Sequence, residues 1–268
     1  MSLEKRAPTS TTKNGNMSFR WAEENGQTHG DVVKAREVFF AEHGVNPEDV
    51  VVMQVDHGEV IAVVGEEEKG RGAREPGGVQ AEALITIDPE VVLMLMTGDC
   101  IPAVFWYEDP DSGRTIRALV HLSRESSGGS EMGVLVKKVI AEIQRVGEEE
   151  GIVVDLEHLC VYFGPHIHTE SYVFEKRPAQ ADDSAWEGFI TETKDGRWAI
   201  DLAGFNRKQL EEAGVPADNI ETSDIDTTVS SKHFSHYEVA HPKDSGSPKP
   251  EGRIATLVLP VEKGVQDG

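Results

Sequence analysis

The chain is short of cysteine, of basic residues and of long apolar runs, and each shortage removes a class of protein. Only two cysteines occur in 268 residues, Cys100 and Cys160. Their contexts differ, so no disulfide framework is expected and a reducing, cytoplasmic setting is. Lys plus Arg number 26 against 48 Asp plus Glu, for a formal net charge of -22. So acidic a surface repels phosphate backbones and anionic headgroups, which argues against nucleic acid and membrane partners. The longest unbroken apolar stretch, Val91 to Met96, falls far below the ~20 residues a bilayer demands. Residues 1–18 are polar, lack the apolar core of a signal peptide and read as a flexible lead; 261–268 read as a tail.

What remains is ordinary globular material, 38% hydrophobic and 28% charged. Nothing between residues 19 and 260 has the composition of a linker, so one domain is expected. Residues 30–44 place Val32, Val33, Ala35, Val38, Phe39 and Phe40 on a broad helical face closed by Gly44. Val50–Val55 and Val60–Val64 are β-rich runs separated by the short polar break that holds His57. A glycine-rich loop fills 69–78. Val91–Met96 reads as a strand buried on both faces, followed by the turn Thr97-Gly98-Asp99-Cys100. Strands over 101–107 and 116–121 come next, then a helix over 131–146 whose apolar positions recur at helical spacing. Residues 156–163 predict a strand, 178–186 a loop, and 201–213 a helix with Asp201 at its N-cap. A Pro/Gly/Ser loop over 241–252 precedes a closing strand at 253–260. The alternation of strands and helices predicts a mixed α/β (α+β) fold, with layered mixed sheets and helices packed outside.

Three polar residues fall where buried strands end: His57, Cys100 and His121. Strand ends join rigidity to access, and two imidazoles with a thiolate suit zinc with one position open for water. Zinc would lower the pKa of that water to about 7. The same residues also permit a thiol hydrolase, with Cys100 activated by His57 or His121. Asp99 beside the thiol is either a residue that orients a histidine or a turn residue bonding its own backbone. If a substrate carries phosphate, a few cations must reverse the local potential, with Arg36, Arg124 and Arg253 as candidates. His166 and His168 would share one face if extended. Cys160 lies in an apolar strand as a core thiol, and His233 and His236 flank Phe234 in a polar segment.

The order of the motifs carries more than any one of them. QVDHGEV, then AEALIT and TGDCIPAVF, then VHLS, FGPHIHTESYVF, IDLAGFNRKQLEEAGV, HFSHY and GRIATLV follow one another from about residue 20 to 260. In that order they resemble the segments of the laccase-domain (YfiH-type) family. The resemblance implies a zinc site of His57, Cys100 and His121, and Asp99, beside the thiol, joins them in the expected catalytic set. It implies a purine nucleoside phosphorylase or adenosine deaminase type of enzyme acting on adenosine, inosine or methylthioadenosine with phosphate or water; the chain is expected to be a monomer or homodimer. Substrate-side candidates are Arg36, Gln54, Arg124 and His166. The older family name implies copper-dependent phenol oxidation, yet one Cys–His₂ set lacks the further histidines of a multicopper cluster.

The chain departs from the family pattern on the substrate side. One extra residue separates Gln54 from His57. Gly-Trp-Arg after the second histidine becomes Ser123-Arg124-Glu125, the family's Cys-Thr becomes Asp226-Thr227, and Glu238 stands where an arginine is expected. A member that binds metal without catalysis is therefore a further alternative.

Overall fold

The computed structural model describes residues 2–22, 24, 26–130, 133–241 and 250–261. Among them run helices α1 (Leu3–Arg6), α2 (His29–Glu42), α3 (Leu135–Glu149), α4 (Leu202–Glu212) and α5 (His236–Ala240). The first strands are β1 (Val50–Gln54), β2 (Ile61–Val63), β3 (Val79–Gln80), β4 (Ala83–Thr86) and β5 (Val92–Thr97). Then come β6 (Ile101–Glu108), β7 (Thr115–Leu122), β8 (Gly128–Gly129), β9 (Gly133–Val134) and β10 (Cys160–Phe163). Last are β11 (Val173–Phe174), β12 (Ile190–Glu192), β13 (Trp198–Ile200), β14 (Ile220–Thr222) and β15 (Ile254–Val258).

Two large mixed sheets form, one in the order β15-β5-β1-β3 and one in the order β14-β10-β6-β7-β4-β2. Period-two alternation within the strands sorts their side chains into layers. Val50 and Val52 of β1 join Phe39 and Phe40 of α2, while Val51 and Met53 point the other way. There they meet Leu84, Val104, Trp106 and Leu119 from the second sheet. The far face of that sheet, including Ile85, Phe105 and Val120, packs on Val136, Val139, Ile140 and Ile143 of α3. The order is therefore helix, sheet, sheet, helix, and both sheets are covered on both faces. Burying each Val, Leu or Ile in such layers contributes about 1.5–3 kcal/mol.

Local signals set most boundaries. A capping box starts α2: Thr28 Oγ1 accepts from the Asp31 amide, and the Asp31 carboxylate accepts from the Thr28 amide. Asp201 caps α4 by accepting from Gly204 N at 2.8 Å. The strand expected over 156–163 begins only at Cys160, because Asp155 caps a 3₁₀ turn over Leu156–His158. The helix expected from 131 starts at Leu135, and residues 131–132 and most of the 241–252 loop lie outside the described residues. The tail expected from 261 lies there too, apart from Val261, whose amide donates to Pro89 O.

One expectation is corrected. Residues 2–18 are not a flexible lead but part of the fold. Leu3 and Ala7 are buried between the two sheets, and Ser10 N donates to Ala255 O at 2.8 Å while Leu257 N donates to Pro8 O at 3.0 Å. The reason is that β15 is an edge strand. Its outer amides and carbonyls need partners, and this segment supplies them without a regular strand of its own. Its polarity concealed the role.

Candidate active site

Strand register brings the central residues together. In the β6–β7 pair Pro102 stands opposite His121, so Cys100, just before β6, arrives beside that histidine. In the β4–β7 pair Ala83 stands opposite Val120, and His121 N donates to Glu82 O at 2.8 Å. Alternation does the rest. His121 has the parity of Leu119 and Glu82 that of Leu84, so both side chains enter the layer between the sheets.

Glu82 is fully buried. A carboxylate out of water must be satisfied by donors, and this one has three. Its Oε2 accepts from His121 Nδ1 at 2.6 Å, and its Oε1 accepts from the amides of Asp56 and His57 at 2.9 and 2.7 Å. Those two bonds hold a strained backbone, since His57 has φ of 62°, a left-handed conformation that a non-glycine residue adopts at a cost. The His57 ring in turn has its Nδ1 at 3.1 Å from Ser123 Oγ. Ser123 is fixed by Ser126, whose hydroxyl donates to His121 O at 2.8 Å. The two imidazoles end with ring centroids 5.2 Å apart.

Each histidine thus has its Nδ1 engaged by a protein group, which leaves Nε2 for a metal or a substrate. Orientation of a ligating histidine by a carboxylate or hydroxyl is the usual support of a metal site. His57, Glu82 and His121 bring ligand atoms within 4.8 Å of one another, and the Cys100 thiol lies near enough to His121 to favour its charged form. Burial alone would push His121 down, but Cys100 and Glu82 together hold it up at about 10. Two imidazole nitrogens and a thiolate make a donor set that fits zinc.

The other expected site residues divide. Arg124 reaches the centre: its guanidinium lies 5.3 Å over the Phe174 ring and is paired with Glu125. Burial opposes the Arg124 charge, and Glu125, assisted by Tyr172 and Cys100, outweighs it and raises the pKa. Burial followed by the nearby Cys100 pushes the Tyr172 hydroxyl well above its ordinary range. Tyr172, Phe174 and Tyr237 form an aromatic wall with centroids 5.0–5.8 Å apart. Gln54 ends β1 with an exposed side chain three residues before His57.

Three expectations are corrected here. Arg36 is no substrate ligand: it is buried, donating to the carbonyls of Met17, Gly72 and Ala73 and stacking 4.3 Å over Phe19. Burial lowers its pKa to about 9. His166 is also sealed in, with Nδ1–H donating to Gly164 O at 2.8 Å, and burial lowers it to about 4. Asp99 spends both oxygens on fastening, accepting from Thr227 Oγ1 and from Tyr237 N at 2.7 Å each, so neither orients a histidine. Burial raises its pKa against those bonds. Arg253 is tied to Glu251 and lies 4.3 Å over Trp21. His233 is buried against Ser230, and His236 faces Glu251 at 3.2 Å.

Glu82, Ser123 and Tyr172 escaped the sequence reading as site residues. Only Glu82 had a signal, a lone carboxylate inside the otherwise apolar run from Ala81 to Ile85. A charge there is tolerable only if the fold supplies donors.

A family model described as multi-copper polyphenol oxidoreductase laccase matches residues 7–259. The chain is 26% identical to purine nucleoside phosphorylase YlmD of Bacillus subtilis, over 92% of this chain and 86% of that one. It is 27% identical to adenosine deaminase RL5 of an unknown prokaryotic organism, over 77% of this chain and 73% of that one. Its fold is similar to that of YlmD from Geobacillus stearothermophilus, with a TM-score of 0.75 at 24% identity, covering 96% of this chain and 92% of that one. No helix among the described residues is long and apolar enough to cross a membrane.

Proposed function

The chain belongs to the multi-copper polyphenol oxidoreductase laccase family, and from that premise we propose that it is a zinc-dependent enzyme of purine nucleosides. It cleaves adenosine, inosine or methylthioadenosine by phosphorolysis, deaminates adenosine, or does both. The observation that carries the reading is the paired second support, Glu82 on His121 and Ser123 on His57, which occupies both Nδ1 atoms and leaves both Nε2 atoms for a ligand. His57, Cys100 and His121 hold the metal, and zinc in that set supplies a Lewis acid and a water of lowered pKa. Relatives named purine nucleoside phosphorylase and adenosine deaminase support the substrate class. Gln54 and Arg124 are the chain's own candidates for substrate contact. The family's description names copper, but the described residues offer one group of possible ligands, His57, Glu82 and His121, rather than several.

Elemental analysis of wild type and Cys100→Ala, with a chromatographic nucleoside assay, tests this. About one zinc per chain, lost in the variant, and consumption of a nucleoside are expected. Equal metal in both proteins would sink the ligand set.

The nearness of Cys100 to His121 also favours a second reading, a thiol hydrolase with Cys100 as nucleophile. Chelation separates the two. Activity retained after chelation, with rapid alkylation of Cys100, would select the hydrolase.

A further inference from the structure

We propose that Glu125 sets the second substrate of this site, closing it to inorganic phosphate and leaving water to react with an uncharged purine nucleoside. The inference rests on the purine nucleoside reading and narrows it to deamination. Arginine recognises phosphate through a parallel pair of N–H groups. In Arg124 the Nε and Nη2 donors both point at one oxygen of Glu125, at 3.1 and 2.5 Å. The guanidinium is held from a second side by the Phe174 ring, and its side chain is only 25% exposed. Ser123, the preceding residue, touches His57, so the pair stands at the rim of the centre.

A phosphate arriving here must displace a carboxylate tethered one residue away, an intramolecular competitor at high effective concentration. It then faces that carboxylate unpaired. Arg36 and Arg253 give no relief, since Arg36 is buried under the first sheet and Arg253 is engaged by Glu251. Water and an uncharged nucleoside meet no such repulsion. In the reaction that remains, the oxygen of water bonds to the purine carbon bearing the amino group. The carbon–nitrogen bond then breaks, and its electron pair leaves with the nitrogen, which takes one proton of the water and departs as ammonia, while the other proton stays on the oxopurine. The bond between ribose and base stays intact.

The test titrates inorganic phosphate by calorimetry into wild type, Glu125→Gln and the double variant Arg124→Gln/Glu125→Gln, and follows adenosine products in parallel. Glu125 is half exposed, so its neutral isostere retains the fold. Glu125→Gln is expected to bind phosphate roughly 10- to 100-fold tighter than wild type, the worth of one hydrogen bond to a charged group. The double variant is expected to lose that gain. Wild type is expected to turn adenosine into inosine and ammonia at a rate indifferent to phosphate. Equal phosphate affinity in wild type and Glu125→Gln, or phosphate-dependent release of adenine by wild type, would overturn the proposal. Absence of any nucleoside turnover would instead defeat the underlying functional reading, while the titration still decides the part played by Glu125.

Discussion

Glu82 and His121 are joined twice, once through the backbone and once through their side chains. The amide of His121 donates to Glu82 O at 2.8 Å, and its Nδ1 donates to Glu82 Oε2 at 2.6 Å. The first contact continues the β4–β7 ladder and the second fixes the ring. The other oxygen of the same carboxylate holds the left-handed backbone at His57. One buried acid therefore positions both histidines.

Glu82→Gln removes the charge from that junction and keeps its shape. Metal affinity is expected to fall about 10- to 100-fold, as for other orienting partners of metal ligands. A competition titration against a chelator measures it, with a thermal melt to show that the variant is folded. Unchanged affinity in a folded variant would mean that Glu82 is structural only.

Asp99 acts as a clasp, so its removal should loosen rather than disarm. Asp99→Ala frees Thr227 and the Tyr237 amide and should cost about 1.5–3 kcal/mol for each bond lost. Denaturant unfolding reads the loss, and metal content is expected to hold. A stable variant with its metal gone would give Asp99 a direct role instead.

Arg36→Met tests the correction made for that residue. Three carbonyls lose their donor in the interior, so stability should drop by at least ~2 kcal/mol. If the variant can be purified folded, its nucleoside affinity should equal that of wild type. A selective loss of affinity at unchanged stability would restore Arg36 to the site.

His166 gives the protein an acid-sensitive element. Its pKa is lowered to about 4, from an ordinary histidine value of about 6.5, chiefly by burial. The unfolded chain therefore binds the extra proton first, and stability is full above about 6.5 and declines as the pH falls toward 4. The shift corresponds to roughly 3 kcal/mol at most. Unfolding measured at pH 7, 5.5 and 4 should show a steeper decline in wild type than in His166→Gln. Equal slopes would remove His166 as the cause.

The sequence by itself determined the layers and singled out three candidate residues. The unbroken apolar runs in Val50–Gln54 and Val92–Thr97, and the helical period of Leu135–Glu149, are local properties that any packing must respect. His57, Cys100 and His121 were legible because each interrupts an apolar run at its end, and because the motifs kept their order. Tertiary structure decided whatever depended on a partner distant in the chain. Glu82 became the shared support of two histidines only when strand register put its carboxylate against a ring 39 residues on. Arg36 resembled a phosphate ligand until Met17 and Gly72 closed over it. Residues 2–18 resembled a free lead until the open edge of β15 took their hydrogen bonds. A titratable or polar side chain carries its chemistry in its own letter, but what satisfies it in the folded chain is fixed by contacts that no local pattern records.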